Sequence, residues 1–215
     1  MKKISLFVFW FLLFWFSFAH QPRLAFKQPV GENIQVQNPE ISQAFYGILS
    51  WQQDSYQIVA DTWFLLYINI VVPDQEGQRT DFFVDVIESD AAIYTRLDGT
   101  KFEWTYFYEP FGGDAYLMGP SWEEQVWPGT YTIRVSNPDN QGKYSLAIGK
   151  IESFDLKETI NTYKVMPELK MQFFEKPWYM IYWSLVGAFL WGLFLVLLLL
   201  IRWSGRLIKY IRSRI

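Results

Sequence analysis

Cysteine is absent from this chain, and histidine occurs once, as His20. Without thiols there is no disulfide framework, no lipidated cysteine anchor and no thiol nucleophile. One histidine is too few for a structural zinc site. Ahead of the folded region, it is also out of reach of a Ser/His/Asp set. No N-x-S/T acceptor occurs, which together with the missing cysteines favours a prokaryotic source. Charge is missing from Trp178 to Ile201, 24 residues closed by Arg202. Acids are missing from both ends, since all 22 fall between Glu32 and Glu175.

These gaps lay out the chain. Twenty-four uncharged residues in a helix span about 36 Å, enough to cross a bilayer core with some tilt. The expected transmembrane helix is therefore 178–201, followed by a basic cytoplasmic tail, 202–215, with Arg202, Arg206, Lys209, Arg212 and Arg214. Trp203, Leu207, Ile211 and Ile215 repeat every four residues there, the pattern of a short interfacial helix, with an irregular cap as the alternative. At the other end Lys2 and Lys3 precede an apolar run, Ile4 to Phe18, with small residues at Ser17 and Ala19. This is the pattern of a signal peptide, 1–19, cleaved after Ala19; an uncleaved anchor is the alternative. Both basic ends belong on the cytoplasmic side. The chain is thus expected to be a single-pass protein of the plasma membrane, its bulk extracellular or periplasmic. The region between the two runs carries 22 acids against 12 bases. An acidic domain argues against nucleic acid and against adhesion to anionic lipid.

The region 20–150 has the period-two signature of β-structure. Phe64 to Val72 is a nearly continuous apolar run bounded by turn residues. Tyr131, Ile133 and Val135 alternate with Thr130, Thr132 and Arg134; after Asn137–Gly142, Tyr144, Leu146 and Ile148 alternate with Lys143, Ser145 and Ala147. These two read as a hairpin. Asp98-Gly99 reads as a second hairpin turn, Gly47 as a possible bulge, and Glu109 to Pro120, rich in Gly and Pro, as loop. Eight or nine short strands without a convincing helix give an all-β fold, an antiparallel β-sandwich or jelly roll. After Gly149, Asp155 with Glu158 resembles a capping box, Leu156, Ile160 and Tyr163 follow at helical spacing, and Pro167 should stop the run. The expectation for 151–177 is an amphipathic membrane-proximal helical stalk, packed on the sandwich or lying near the headgroups.

Asp54-Ser55-Tyr56, the run Phe64–Val72, the strand at Phe82–Ile87, and above all Trp127–Val135 followed by Gly142-Lys143-Tyr144-Ser145-Leu146 resemble the bacterial pre-peptidase C-terminal domain family. The Gly-Thr-Tyr strand, turn and Gly-x-Tyr-x-Leu strand carry the likeness, which covers about Ala44 to Ile148. The resemblance implies a β-sandwich accessory or binding module without catalytic residues. The chain departs from it in the insertion Asp98–Glu124 and in its anchor. The layout as a whole is also similar in architecture to the GOLD/p24 cargo receptors, without their cysteine pair.

The insertion carries the candidate site: Trp104, Tyr106, Tyr108, Glu109, Phe111, Asp114, Tyr116 and Trp122, with Phe107 and Trp127 beside them. Aromatic faces with a carboxylate and a glycine-rich turn suit a sugar ring or a partner peptide; the alternative is that alternate aromatics are core. Trp104, Tyr106 and Tyr108 share a strand face, so one side of that strand should be buried. Asp74, Glu76, Asp81, Asp85, Asp90 and Asp98 are calcium candidates without EF-hand spacing, or a solvated acidic surface. His20 as a new N-terminus offers an amine and an imidazole for copper, but the second histidine of a brace is missing. Adjacent Glu123 and Glu124 point to opposite faces of a strand and form no dyad. No metal or cofactor is therefore expected. The chain reads as a non-catalytic module binding a protein or glycan, or alternatively as a structural subunit of an envelope complex. Within the apolar run, Ser184, Ala188 and Gly192 are spaced for a helix neighbour, and Gly187 is not.

Overall fold

Period-two alternation over eleven strands builds two sheets face to face in the computed structural model, which describes residues 20–88, 92–153 and 155–212. The strands are β1 (Gln21–Leu24), β2 (Asn33–Gln35), β3 (Gln43–Ser50), β4 (Asp54–Ala60), β5 (Phe64–Pro73), β6 (Phe83–Glu88), β7 (Ile93–Asp98), β8 (Thr105–Glu109), β9 (Asp114–Val126), β10 (Gly129–Ser136) and β11 (Gln141–Ile148). The first sheet runs β1-β3-β11-β5-β9-β8 and the second β2-β4-β10-β6-β7. Pairing is antiparallel except β1 with β3 and β2 with β4. The architecture is a β-sandwich. The proposed signal peptide and Asp90 lie outside the described residues.

The core sits between the sheets. Tyr131, Ile133 and Val135 of β10 meet Tyr144, Leu146 and Ile148 of β11, all buried. That geometry overturns the expected β10–β11 hairpin, because the two strands lie in different sheets. Both alternations point inward from opposite layers, which in sequence looks the same as two paired strands sharing a face. The Asn137 side chain holds the arch, donating to Gln141 O (2.6 Å) and accepting from Gln141 N (3.0 Å). Asp98-Gly99 is not a hairpin either. Asp98 accepts from Thr100 N (3.0 Å), capping a short 3-10 turn through which the chain leaves the second sheet for the first.

The expected loop Glu109–Pro120 is largely strand. Proline has no N–H for a ladder, so Pro120 needs a break in the pairing. The break is supplied opposite: register shifts between Asn69 and Val71 of β5, and the Asn69 amide donates to Gly119 O (3.1 Å) and Pro120 O (3.3 Å). Gly47 is no bulge. A methyl there would fall 2.3 Å from the Tyr144 ring, so glycine makes room for a buried tyrosine.

The expected stalk lies on the sandwich. Helix α1 (Leu156–Glu168) starts at Asp155, whose carboxylate accepts from Glu158 N (2.7 Å), while Glu158 pairs with Arg23 (2.8 Å) instead of closing a capping box. Pro167 does not stop the helix; the chain continues into a π-helical turn, Leu169–Phe173, one of the wider forms that follow a lost helical hydrogen bond. Met166, Leu169, Phe173, Phe174 and Ile181 are buried against Ala44, Tyr46 and Tyr116 on the outer face of the first sheet. At about 1.5–3 kcal/mol per buried side chain, this contact holds the segment down.

The long helix also differs from expectation. Trp178–Trp183 forms a 3-10 turn, and α2 runs from Leu185 to Arg212, continuing through most of the basic tail. Leu185–Arg206, 22 residues, is long and apolar enough to cross a membrane. Gly187 lets the 3-10 turn lie against α2, since a methyl there would sit 2.4 Å from Ile181 O and the Tyr182 backbone. Ser184 and Gly187 are therefore used inside the chain.

Candidate functional site

β8 and β9 form a hairpin whose turn, Pro110–Gly113, is drawn closed by Gly113 N donating to Glu109 O (2.9 Å). The register sets Glu109 opposite Asp114, Phe107 opposite Tyr116 and Tyr106 opposite Leu117. Among the described residues β8 has a neighbour on one side only, so it is an edge strand. Of the eight residues singled out above, Tyr106 and Tyr108 turn to solvent, four gather beneath the turn, and Trp104 and Trp122 pack against the main core.

Tyr106 (64% exposed) and Tyr108 (50%) stand on the solvent side, while Phe107 alternates to the other face, opposite Tyr116. The inward side of this strand is therefore the one that carries Phe107 and Glu109, which line a cavity, and not the face that Tyr106 and Tyr108 share. Trp104 does turn inward. Its Nε1 donates to Gly99 O (2.9 Å), and its indole occupies the space over Gly119, where a methyl would lie 2.5 Å away. Trp122 is half-buried and meets Tyr94 edge to face, with centroids 5.8 Å apart; the Tyr94 hydroxyl donates to Glu124 (2.7 Å).

Glu109, Phe111, Asp114 and Tyr116 converge beneath the turn around a cavity of about 220 Å³ also lined by Tyr46 and Met166. Their polar atoms are engaged within the fold. The Glu109 carboxylate accepts from Phe111 N (2.6 Å) and Gly112 N (2.7 Å); burial pushes its pKa up, against these two bonds. Asp114, 1% exposed, takes Lys170 Nζ (2.5 Å) on one oxygen and Lys176 Nζ (2.9 Å) on the other. Lys170, equally buried, also donates to Gly112 O (2.6 Å), and burial holds its pKa below the ordinary lysine range. Tyr116 and Tyr46 share a hydroxyl contact (3.2 Å), and burial raises both phenols. Lys170 was missed from sequence. Its signal was position, four residues after Met166 and three before Phe173, on the apolar face.

The turn also meets α2. Leu185 N donates to Pro110 O (3.2 Å) and Val186 N to Phe111 O (3.2 Å), satisfying two of the N–H groups a helix leaves open at its start.

Elsewhere, His20 is not outside the fold. Its Nδ1 contacts Ser42 Oγ, and the Ser42 hydroxyl faces Glu152 (3.3 Å). The carboxylate meets the serine, not the imidazole, so this is not the relay order of a hydrolase. The calcium candidates are dispersed: Asp81 pairs with Arg79 (2.5 Å), Asp85 with Arg96 (2.5 Å), and Asp98 caps its turn and pairs with Lys101 (3.0 Å). Among the described residues, no three His, Cys, Asp or Glu side chains converge on one point.

No protein-family model matches the chain, and no curated protein matches its sequence. Among solved structures it is similar to the pre-peptidase C-terminal domain of a collagenase from Bacillus anthracis, at 14% identity, with 56% of this chain and 97% of that one covered and a TM-score of 0.36. It is also similar to a surface-associated copper-binding protein of Methylomicrobium album BG8, at 11% identity, with 63% and 85% covered and a TM-score of 0.20.

Proposed function

We propose that the chain is a non-catalytic, membrane-anchored module whose extracytoplasmic β-sandwich binds a protein partner along its open β8 edge. One observation carries this reading: an edge strand, unpaired on one side among the described residues, presents Tyr106 and Tyr108 to solvent. Such an edge offers backbone hydrogen bonds to an added strand, and aromatic rings offer contact area at low entropic cost. A protein fits better than a glycan. The carboxylates of this region, Glu109 and Asp114, face inward and are consumed by the turn and by lysines. A sugar site needs polar groups aimed at the ligand beside the stacking ring. Anchoring rests on α2, and orientation on the bases at both chain ends against acids confined to the middle.

The test is a photo-crosslinking amino acid placed at Tyr106 or at Val59, an exposed position on the second sheet, in cells expressing the full chain. A protease-sensitive adduct at 106 and none at 59 is the expected result. Equal yields at both sites, or an adduct at 106 sensitive to glycosidase and not to protease, overturn the reading.

A further inference from the structure

Four exposed aromatic side chains, Trp178 (50%), Tyr179 (50%), Tyr182 (40%) and Trp183 (79%), stand on one six-residue 3-10 turn. A folded domain in water rarely concentrates so much apolar surface unless something covers it. The rings run from the turn down the start of α2: Trp178 to Tyr182 (6.1 Å) and Tyr182 to Trp191 (6.2 Å). No charge lies between Lys176 and Arg202. Tryptophan and tyrosine in this position have the chemistry of the headgroup–acyl boundary, an apolar body with one polar tip.

From this we infer that the sandwich sits directly on the bilayer, with this aromatic collar and Tyr108 in the headgroup layer, and is not held away on a stalk. The inference rests on the membrane anchoring proposed above. The occupant of the apolar face follows from continuity. The collar joins a helix long enough to span a bilayer. That helix is tied to the sandwich by Leu185 N to Pro110 O and Val186 N to Phe111 O, so the turn and the head of the span are at one level. A methyl at Gly113 would lie 3.0 Å from Ser184 Cβ and 3.6 Å from the Tyr108 hydroxyl, so Tyr108 flanks that same level. The segment between the sandwich and the span is packed on the first sheet through Met166, Leu169, Phe173, Phe174 and Ile181, so it adds no height. β8, five residues long, then rises only about 17 Å from the surface. Any partner of its edge must itself be held close to the membrane.

The absence of cysteine makes the test clean. Single cysteines replace Tyr108, Tyr179, Trp183, Leu195 or Val59 in the full chain, carry a nitroxide, and are placed in phospholipid nanodiscs. Collision rates with oxygen and with a water-soluble nickel chelate report depth. Position 195 should read as acyl core and 59 as water. Positions 108, 179 and 183 should read between them, with an oxygen-to-nickel ratio several-fold above that at 59. If 195 reads as core while 108, 179 and 183 match 59, the seat on the bilayer is wrong and the anchor stands. If 195 matches 59, the anchoring has failed and the seat with it. A label-free measurement guards against misfolded variants: Trp178→Phe with Trp183→Phe should lose part of the tryptophan quenching produced by lipids brominated near the headgroup. Unchanged quenching overturns the inference.

Discussion

Replacing Asp114 by Asn isolates the ion network beneath the β8–β9 turn. Asp114 and Lys170 are each 1% exposed and 2.5 Å apart, and Lys176 meets the other carboxylate oxygen at 2.9 Å. The substitution keeps shape and removes charge, leaving the Lys170 ammonium buried against neutral oxygens, Gly112 O and the new amide carbonyl, in place of a carboxylate. Glu109 cannot simply substitute, because its oxygens hold the Phe111 and Gly112 amides. Breaking a buried pair from one side costs about 3–5 kcal/mol, a large share of the stability of a single domain. At about 2–4 °C per kcal/mol for a chain of this size, the midpoint should fall by about 6–20 °C. Pairing the change with Lys170→Met should recover most of the loss, since the orphaned charge is gone. The pH dependence has a definite sign. Burial depresses the Lys170 pKa, and Asp114 opposes that effect. A depressed lysine contributes stability that is complete above its unfolded pKa and lost as pH falls through its folded one. Without Asp114 the folded pKa drops further, so the deficit of Asp114→Asn should be largest near neutral pH and shrink towards the ordinary lysine value of about 10.4. The assay is thermal and denaturant unfolding of the full chain in mild detergent between about pH 7 and pH 10. A single variant within about 1 kcal/mol of wild type, or a double variant no better than the single, refutes the reasoning.

Other expectations concern the core. Gly47→Ala drives a methyl to 2.3 Å from the buried Tyr144 ring and should cost at least about 1–3 kcal/mol in the same assay. Tyr144→Phe removes the hydroxyl that donates to Asp54 (2.6 Å) and contacts the Tyr56 hydroxyl (2.7 Å), a loss of about 1–3 kcal/mol. Burial raises the Asp54 pKa while Tyr144 pulls it down, so Tyr144→Phe should raise it further. A raised carboxyl contributes stability that is lost as pH rises through its folded pKa. The deficit should therefore grow from acid towards neutral pH, and a carboxyl carbon titration by NMR reads the shift directly. Ile133→Ala, at a fully buried site, should cost about 2–5 kcal/mol, with thermal unfolding as the check.

Which features were legible in the sequence follows from the range of the forces involved. Thr130–Val135 announces itself as a strand by alternation and Phe64–Val72 by a short apolar run between turn residues, both local properties of the chain. Sheet membership is not local. Tyr131, Ile133 and Val135 alternate identically whether β11 pairs with β10 or faces it across the core, and only packing of both layers decides between these. Pro120 reads as a loop residue until the shift at Asn69–Val71 shows the ladder making room for it. The candidate site was half legible. Aromatic density marked the insertion, and the structure exposes Tyr106 and Tyr108, yet it buries Asp114 against lysines some sixty positions away.

The aromatic insertion, the run without charge, the confinement of the acids and the absence of cysteine and of any second histidine are facts of composition and order. With the period-two alternation they determined an all-β domain next to a helix long enough for a bilayer, because hydrophobic period and length act over a few neighbouring residues. Tertiary structure alone decided the rest: that the segment after the sandwich packs on a sheet, one of the two places open to it, that α2 begins at Leu185 on the carbonyls of Pro110 and Phe111, and that β8 ends up on an open edge. Each of these depends on segments far apart in sequence meeting in space, where burial and unsatisfied backbone groups select a partner that local pattern does not name.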